Sequence, residues 1–406
     1  MALDKAALIE DVRSRLFAAS SAADREGRTI GAELEVIPVI ASSRAAAQIS
    51  AAAGPSLVNC LRRAGHDEGW TEKPSESGAP EWNLRDGSRI SFEPGGQIEI
   101  SSRPHDTCSG LIESLQATMR TLAAAVSRDG IELLSVGVDP YNDISAVPLQ
   151  LPGERYTRMT RYFQARGESG TRMMRQTAAL QMSVEHGPRP LVRWKLLNAL
   201  APYLVALFAN SARYAGKSTG HASYRAHLWR TLDRTRTGIP YDESDPAAAY
   251  ARFALDAGAI RAGGDGGGGG DFQSFRSLLG RKDTSMEDWV FHLSTLFPEV
   301  RPKEYFELRS ADTITPDHLA APLVFIAGLL YDHPSEEEAG HFLGSPDPEL
   351  LEVAGAAGLG NEGIRKRASE LVRIALQGAS RLGDSYLKRS HRDEAAHWLA
   401  GSLEAA

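Results

Sequence analysis

The sequence predicts an α+β fold, and three observations carry that prediction. Segments at 31–37 and 177–185 alternate polar and apolar residues strictly, as strands with one buried face do. A hairpin pattern spans 88–102 around Pro94-Gly95-Gly96. Elsewhere apolar residues recur every three to four positions, and from about 317 onward the chain reads as helix.

Taken in order, Leu8, Val12 and Leu16 predict a helix over 3–19. From Gly31 to Ile37, Ala32, Leu34 and Val36 alternate with Glu33 and Glu35, which sends both carboxylates to one face. In the hairpin, Glu93 brackets the turn and Glu99 lies on the return strand. Leu111, Leu115, Met119, Leu122 and Val126 predict a helix closed by Asp129-Gly130, with a strand over 131–138 after it. The alternation at 177–185 gathers Gln181, Ser183 and Glu185 opposite Leu180, Met182 and Val184. Leu191 to Ala212 reads as a long, mostly buried helix despite Pro202. Arg225, Trp229 and Asp233, spaced by four, share a face if that segment is helical.

Positions 263–270 hold seven glycines in eight residues and read as a flexible surface loop, without the GxxxxGK[ST] pattern that cradles phosphate. Asp288 to Phe297 reads as helix, and Tyr305 to Arg309 as a strand with Glu307 and Arg309 on one face. Leu319 to Tyr331 is the longest apolar run; it falls short of the ~20 residues that span a bilayer and reads as a core helix. Arg365-Lys366-Arg367 reads as a solvated helix face. No internal repeat and no domain boundary is visible.

The 406 residues can bury a sizeable core, and 52 acidic against 45 basic residues, a net charge of −7, argue against a general nucleic-acid binder. Cys60 and Cys108 are too few for a disulfide framework, neither CxxC nor HExxH is present, and the two are expected as independent free thiols. Charges at Asp4, Lys5, Glu10, Asp11 and Arg13 interrupt any apolar leader, so a cytoplasmic location is expected.

One device repeats: strand-like segments carry acidic or amide groups on a common face, at Glu33/Glu35, Glu93/Glu99, Gln181 and Glu307. Gathered in one sheet, such carboxylates repel one another and suit bound cations, and hard oxygen ligands suit magnesium or manganese. Arg309, Arg225 and Arg236 offer positive charge to phosphate oxygens, which makes ATP chemistry the leading idea. Taken singly, each segment is also compatible with a solvated strand face.

The conjunction of motifs is more specific. Gly31-x-Glu33-x-Glu35; Phe92-Glu-Pro-Gly-Gly-Gln-Ile-Glu99; Arg155-Tyr156 with Met159 and Tyr162; Met173-Met174 before Gln181; Leu207 to Ser211; Ser223-x-Arg225 through Trp229, Asp233, Arg236 and Gly238; Asp288-Trp289 through His292 to Arg301; and Glu307-x-Arg309-x-x-Asp312 follow in order. Together they resemble the glutamate–cysteine ligase family of the plant and bacterial type, including actinobacterial ergothioneine-pathway members, from about Arg28 to Tyr331.

That resemblance implies a fold similar to glutamine synthetase and guanidino kinases: a curved, largely antiparallel sheet forming a funnel, with helices outside. It implies a single catalytic domain over 1–406, with an N-terminal helix in 1–27, a sheet-bearing ligase core in 28–316 and a helical part in 317–406. The implied reaction uses ATP to phosphorylate the γ-carboxylate of glutamate, after which the amino group of cysteine displaces phosphate. Magnesium would be held by Glu33, Glu35, Glu93, Glu99, Glu307 and Gln181. Arg309 and Arg225 would act in catalysis, with Arg225, Trp229, Asp233, Arg236, Arg301 and Arg309 binding substrate or ATP. Alternative readings stand beside these: Glu93 as a turn residue capping Gly95, Gln181 as an amide bonding across the sheet, Asp233–Arg236 as a structural ion pair, and His292 as a satisfied buried histidine. The expected partners are the small molecules glutamate, cysteine and ATP, with no nucleic acid or membrane.

Two departures from the family pattern bear on the acceptor. Gln181-Met-Ser183-Val-Glu185 stands where many relatives have Gln-Val-Asn-Leu-Asp, and 257–270 does not reproduce their apolar and aromatic stretch. A ligase with a different amine acceptor is therefore a competing expectation; a catalytically silent binding module is a separate one, which loss of the metal carboxylates would signal, and Glu33, Glu35, Glu93, Glu99 and Glu307 are all present.

Overall fold

The computed structural model describes residues 3–17, 27–51, 54–242, 244–261 and 273–406. Its centre is a nine-stranded sheet: β1 (Ile30–Ile40), β2 (Thr71–Lys73), β3 (Glu81–Asn83), β4 (Arg89–Phe92), β5 (Ile98–Ser101), β6 (Ile131–Leu134), β7 (Ala179–Val184), β8 (Val300–Pro302) and β9 (Phe306–Asp312). The order is β8-β9-β7-β1-β5-β4-β3-β2, with β6 pairing the far end of β1, and every pairing is antiparallel.

Register decides which side chains meet. Glu33 pairs with Ser101 and Gln181, Glu35 with Glu99, Glu99 with Ser91, and Glu307 with Ser183 and Arg301. Directly opposed residues point to the same face, so the alternation in each strand adds up to one polar face across six strands. On the opposite face Leu34, Val36, Ile98, Ile100, Leu180, Met182, Phe306 and Leu308 are all buried in one continuous core.

The α-helices of the described residues are α1 (Lys5–Asp11), α2 (Leu57–Glu68), α3 (Cys108–Ser127), α4 (Glu154–Gln164), α5 (Ser169–Gln176), α6 (Pro190–Leu207), α7 (Tyr224–Leu232), α8 (Pro246–Asp256), α9 (Met286–Ser294), α10 (Ala320–Leu330), α11 (His333–Leu343), α12 (Leu350–Ala357), α13 (Glu362–Leu382) and α14 (Arg389–Glu404). Helix α3 packs on β1 and α6 on β9, covering the apolar face. All eleven residues of α10 are buried, which places the long apolar run in the core, against α13 and α14. The α10–α13 crossing depends on glycine: a Cβ on Gly328 would lie 2.0 Å from the carbonyl oxygen of Ala375. No helix among the described residues is long and apolar enough to cross a membrane.

Several elements are shorter than the sequence predicts, and tertiary contacts explain each. The helix expected over 3–19 is α1 followed by a π turn, Val12–Leu16, because Phe17 leaves the helix to pack edge-on against Trp194, with ring centroids 5.0 Å apart. Helix α6 stops at Leu207 rather than 212, since Asn210 N and Ser211 Oγ bond Asp312 Oδ2 at 2.8 and 2.7 Å. The strand expected over 131–138 ends at Leu134, and Gly137 N instead donates to Asn210 O. Helix α9 starts two residues before Asp288, at a Ser285–Asp288 capping box, and ends before Phe297. Arg365-Lys366-Arg367 is not a uniformly solvated face: Arg367 donates to Tyr203 Oη and Phe342 O and packs on the Phe342 ring. Cys60 and Cys108 are buried free thiols, the first donating to Asp129 Oδ2 at 2.9 Å, and burial pushes its pKa up to about 12. The glycine tract at 263–270 lies outside the described residues.

Candidate active site

Over the polar face of the sheet, α4, α5 and α7 close a cleft with about 120 Å³ of free interior. Its lining includes Glu33, Glu35, Glu93, Glu99 and Gln181, with Arg301 and Arg309 from the same sheet and Arg155, Arg225 and Trp229 from the helices. Beyond Glu33, which borders both, lies a larger cavity of about 550 Å³ lined by Thr29, Gly31, Ser101, Ser183, Glu304 and Tyr305.

The hairpin turn delivers Glu93. Gln97 Oε1 accepts from Gly95 N at 2.9 Å, so the turn is capped by Gln97 and the Glu93 carboxylate remains available to the cleft. Gly95 is required there: a Cβ would lie 1.9 Å from Arg175 O. Glu99 accepts from Ser101 Oγ at 2.8 Å and Ser91 Oγ at 3.2 Å. Glu35 accepts from Ala179 N at 2.8 Å and from Gln181 Nε2 at 2.9 Å. Gln181 thus bonds across the sheet while also facing the cleft.

Nearby cations only partly balance these acids. Burial, then the neighbouring Glu99 and Glu307, push Glu33 up to about 7. Burial, with Glu99 and Glu35 nearby, holds Glu93 well above the usual carboxylate range. Glu35 and Glu99 are raised by burial too, Glu99 further by Glu35. Glu307 behaves in the opposite way: burial would raise it, but Arg301, Arg309 and Lys303 outweigh that and hold it at about 2. Arg309 Nη1 donates to Glu307 Oε2 at 2.6 Å and to Gln181 Oε1, and Arg301 lies 3.3 Å from Glu307.

Arg309 stands in a register shift of β9 between Leu308 and Ala311, where its backbone N turns to Glu299 O. Arg225 clamps that bulge from α7, donating to Arg309 O at 2.7 Å and lying 3.7 Å from Asp312. Trp229 packs beneath both guanidiniums, 5.4 Å from Arg225 and 5.3 Å from Arg309. Arg225, Arg301 and Arg309 each keep a buried Nε–H, and Trp229 its indole N–H, without a hydrogen-bond partner among the described residues. Buried donors are normally satisfied, and all four of these belong to residues that line the cleft.

The cleft does not include every residue expected of it. Helix α7 ends at Leu232, so Asp233 leaves the face shared by Arg225 and Trp229. Asp233 meets Arg236 at 3.2 Å and Tyr162 Oη, while Arg236, with no exposed surface, directs its other donors to Thr295 and to Gly258 O. That pair braces the cleft from outside rather than lining it. His292 is fully buried against Ala254 O at 2.8 Å, and burial beside Arg236 lowers it to about 3. In turn, the structure adds two groups to the expected set: Arg155, which the family motif contains without a role assigned to it, and Lys303, which no motif or periodicity assigns. Arg155 reaches in from α4, anchored on Ser294 O at 2.9 Å. Lys303, on the turn between β8 and β9, donates to Glu307 Oε1. A basic residue four positions before Glu307 is the available signal for Lys303, but turn residues carry no alternation to say where they point.

Among the described residues no three His, Cys, Asp or Glu side chains are already drawn together around one point as ion ligands. The donor set nonetheless fits a hard divalent cation: it is all oxygen, and the uncompensated repulsion in it is what such an ion relieves. Carboxylates and guanidiniums gathered in one cleft define the class, an enzyme site built to handle charged small molecules. The chain belongs to glutamate–cysteine ligase family 2, whose model matches residues 29–355. It is 34% identical over 309 residues to the glutamate–cysteine ligase EgtA of Mycolicibacterium smegmatis, covering 73% of this chain and 72% of that one. It is 30% identical over 323 residues to the chloroplastic glutamate–cysteine ligase A of Oryza sativa subsp. japonica, covering 72% and 64%. A glutamate–cysteine ligase of Francisella tularensis, solved in complex with AMP, aligns at 12% identity and a TM-score of 0.47 over 93% of this chain and 82% of that one.

Proposed function

We propose that this protein uses ATP to join the γ-carboxylate of L-glutamate to the amino group of L-cysteine, through a γ-glutamyl phosphate, giving γ-glutamylcysteine, ADP and phosphate for low-molecular-weight thiol synthesis. The observation that carries the proposal is the cleft itself, where carboxylates raised by burial and mutual repulsion meet Arg155, Arg225, Arg301 and Arg309. A carboxylate is a poor electrophile, and conversion to an acyl phosphate supplies the leaving group that the amine displaces.

Glu33, Glu35, Glu93, Glu99, Gln181 and Glu307 would hold magnesium or manganese, whose charge offsets that of the phosphate and carboxylate oxygens. Arg309 meets the transferring phosphoryl group: its planar cation is fixed by the β9 bulge and by Glu307, so no reorganisation is needed as charge develops. Arg225 holds Arg309 in place through its carbonyl and offers its own open Nε–H to a substrate oxygen. Arg301 does the same from β8 while anchored on Leu296 O at 2.6 Å. Beside Gln97, Tyr156 and Thr177, the rest of the lining includes Met159, Met173, Met174 and Phe297, an apolar, sulfur-containing group that suits a small thiol side chain on the acceptor.

The test is ADP release with glutamate and a panel of amines. Cysteine is expected to give the highest kcat/KM; equal or better turnover with a non-thiol amine would transfer the assignment to another acceptor, and no glutamate-dependent release with any amine would overturn the reaction.

A further inference from the structure

Three cations meet Glu307, and they differ in how firmly they are held. Arg301 and Arg309 have side chains only 13% and 10% exposed. Arg301 is tied to Leu296 O and Arg309 to Gln181. Lys303 is 33% exposed, and apart from Glu307 its ammonium meets the Tyr305 hydroxyl at 3.2 Å and Glu33 Oε1 at 3.9 Å. It spans two acids on strands separated by β7, at the border where Glu33 opens onto both the cleft and the larger cavity.

We propose that Lys303 is an exchangeable counter-ion: in the substrate-free enzyme its ammonium stands between Glu33 and Glu307 where a divalent cation is to bind, and it withdraws toward the larger cavity when that cation arrives. The inference rests on the carboxylate reading above. An ammonium and a divalent ion cannot share one pair of carboxylates, because each would face the other at contact distance in a partly dehydrated site. Of the three cations at Glu307, only Lys303 combines a flexible stem with an exit. Its backbone is pinned, N donating to Tyr305 O at 2.8 Å, so the exchange is a rotation of the side chain and leaves the β8–β9 turn in place. Glu304 and Tyr305 of the same turn line the larger cavity, so the ammonium has space beside it. The residue type matters: lysine is a single, strongly hydrated point charge, easier to release than a guanidinium that grips two carboxylates at once.

The experiment is a Mn²⁺ titration of nucleotide-free enzyme, with free Mn²⁺ read by electron paramagnetic resonance, on wild type, Lys303→Met and Lys303→Arg. Removing the competing cation should tighten Mn²⁺ binding in Lys303→Met by about tenfold, and Lys303→Arg should weaken it several-fold. A residue needed only for packing would shift both variants toward weaker binding. Unchanged or weaker binding by folded Lys303→Met overturns the exchange, as does tighter binding by Lys303→Arg, which keeps the test open if the methionine variant does not fold. Failure of wild type to bind Mn²⁺ overturns the carboxylate reading along with it.

Discussion

Glu307 and Glu99 are the same side chain, buried on the same face of the same sheet, yet they carry their charge in opposite ways. Glu307 is met by Arg301, Arg309 and Lys303 and stays ionised down to about pH 2. Glu99 is met by two serine hydroxyls and a distant Arg89, lies beside Glu35 and Glu93, and is raised instead. Burial is common to both, so the difference comes from partners. One end of the acid row is internally neutralised and can stabilise the fold; the other is left with unopposed charge, which only an added cation relieves. Added metal should relieve the most repulsion at the second end, while at Glu307 it meets a carboxylate that is already paired.

Neutralising each acid in turn separates the two ends most sharply. In metal-free protein Glu307→Gln strands two buried guanidiniums beside the part-exposed Lys303 and should destabilise by about 3 to 5 kcal/mol. Glu99→Gln removes repulsion while an amide oxygen can still accept from Ser91 and Ser101, so it should leave stability unchanged or raise it by about 1 kcal/mol. Urea unfolding in a chelator measures both, and equal losses would erase the distinction. With magnesium present the ranking of Glu99→Gln should reverse, since wild type then gains the ion.

The same asymmetry should shape stability against pH. Between the ordinary 4.5 and about 7 the folded protein holds a proton on Glu33 that the unfolded chain has lost, so metal-free stability falls as pH rises through that window, by about 3 kcal/mol from Glu33 alone. Glu35, Glu93 and Glu99 add in the same direction. Glu307 works oppositely: between 4.5 and about 2 the unfolded chain binds the extra proton, and stability falls as pH drops. Melting temperatures in a chelator should therefore peak in mild acid, and magnesium should flatten the neutral limb. A neutral limb that is already flat without metal would show that the acids are compensated by groups other than those named.

Much of this arrangement is legible in the amino-acid sequence, for a definite reason. Glu33, Glu35, Glu99, Gln181 and Glu307 lie in alternating strands, where position along the chain decides the face, and antiparallel register then brings them together. Lys303 and Arg155 reach the site from a turn and a helix that only tertiary packing aims, so periodicity is silent about them. Asp233 obeys helical spacing with Arg225 and Trp229, but the helix ends one residue earlier, and Arg236 draws the carboxylate outward. Where α6 and β6 stop is set by Asp312 and Asn210, partners far away in sequence. Above all, alternation places the acids on one face without showing which of them have cations.

Arg89 provides the finest test of the comparison, because it is the cation nearest Glu99. It lies 4.0 Å from the Glu99 carboxylate, with 46% of its side chain exposed, and shares its guanidinium with Glu81 and Ser101. Water screens a charge in that position, and exposed ion pairs contribute at most about 1 kcal/mol. Arg89→Met should therefore change metal-free stability by less than about 0.5 kcal/mol and the magnesium concentration for half-maximal ADP release by less than about twofold. If instead the variant needs far more or far less magnesium, Glu99 is a paired carboxylate after all, and the two ends of the row differ in degree of pairing rather than in kind.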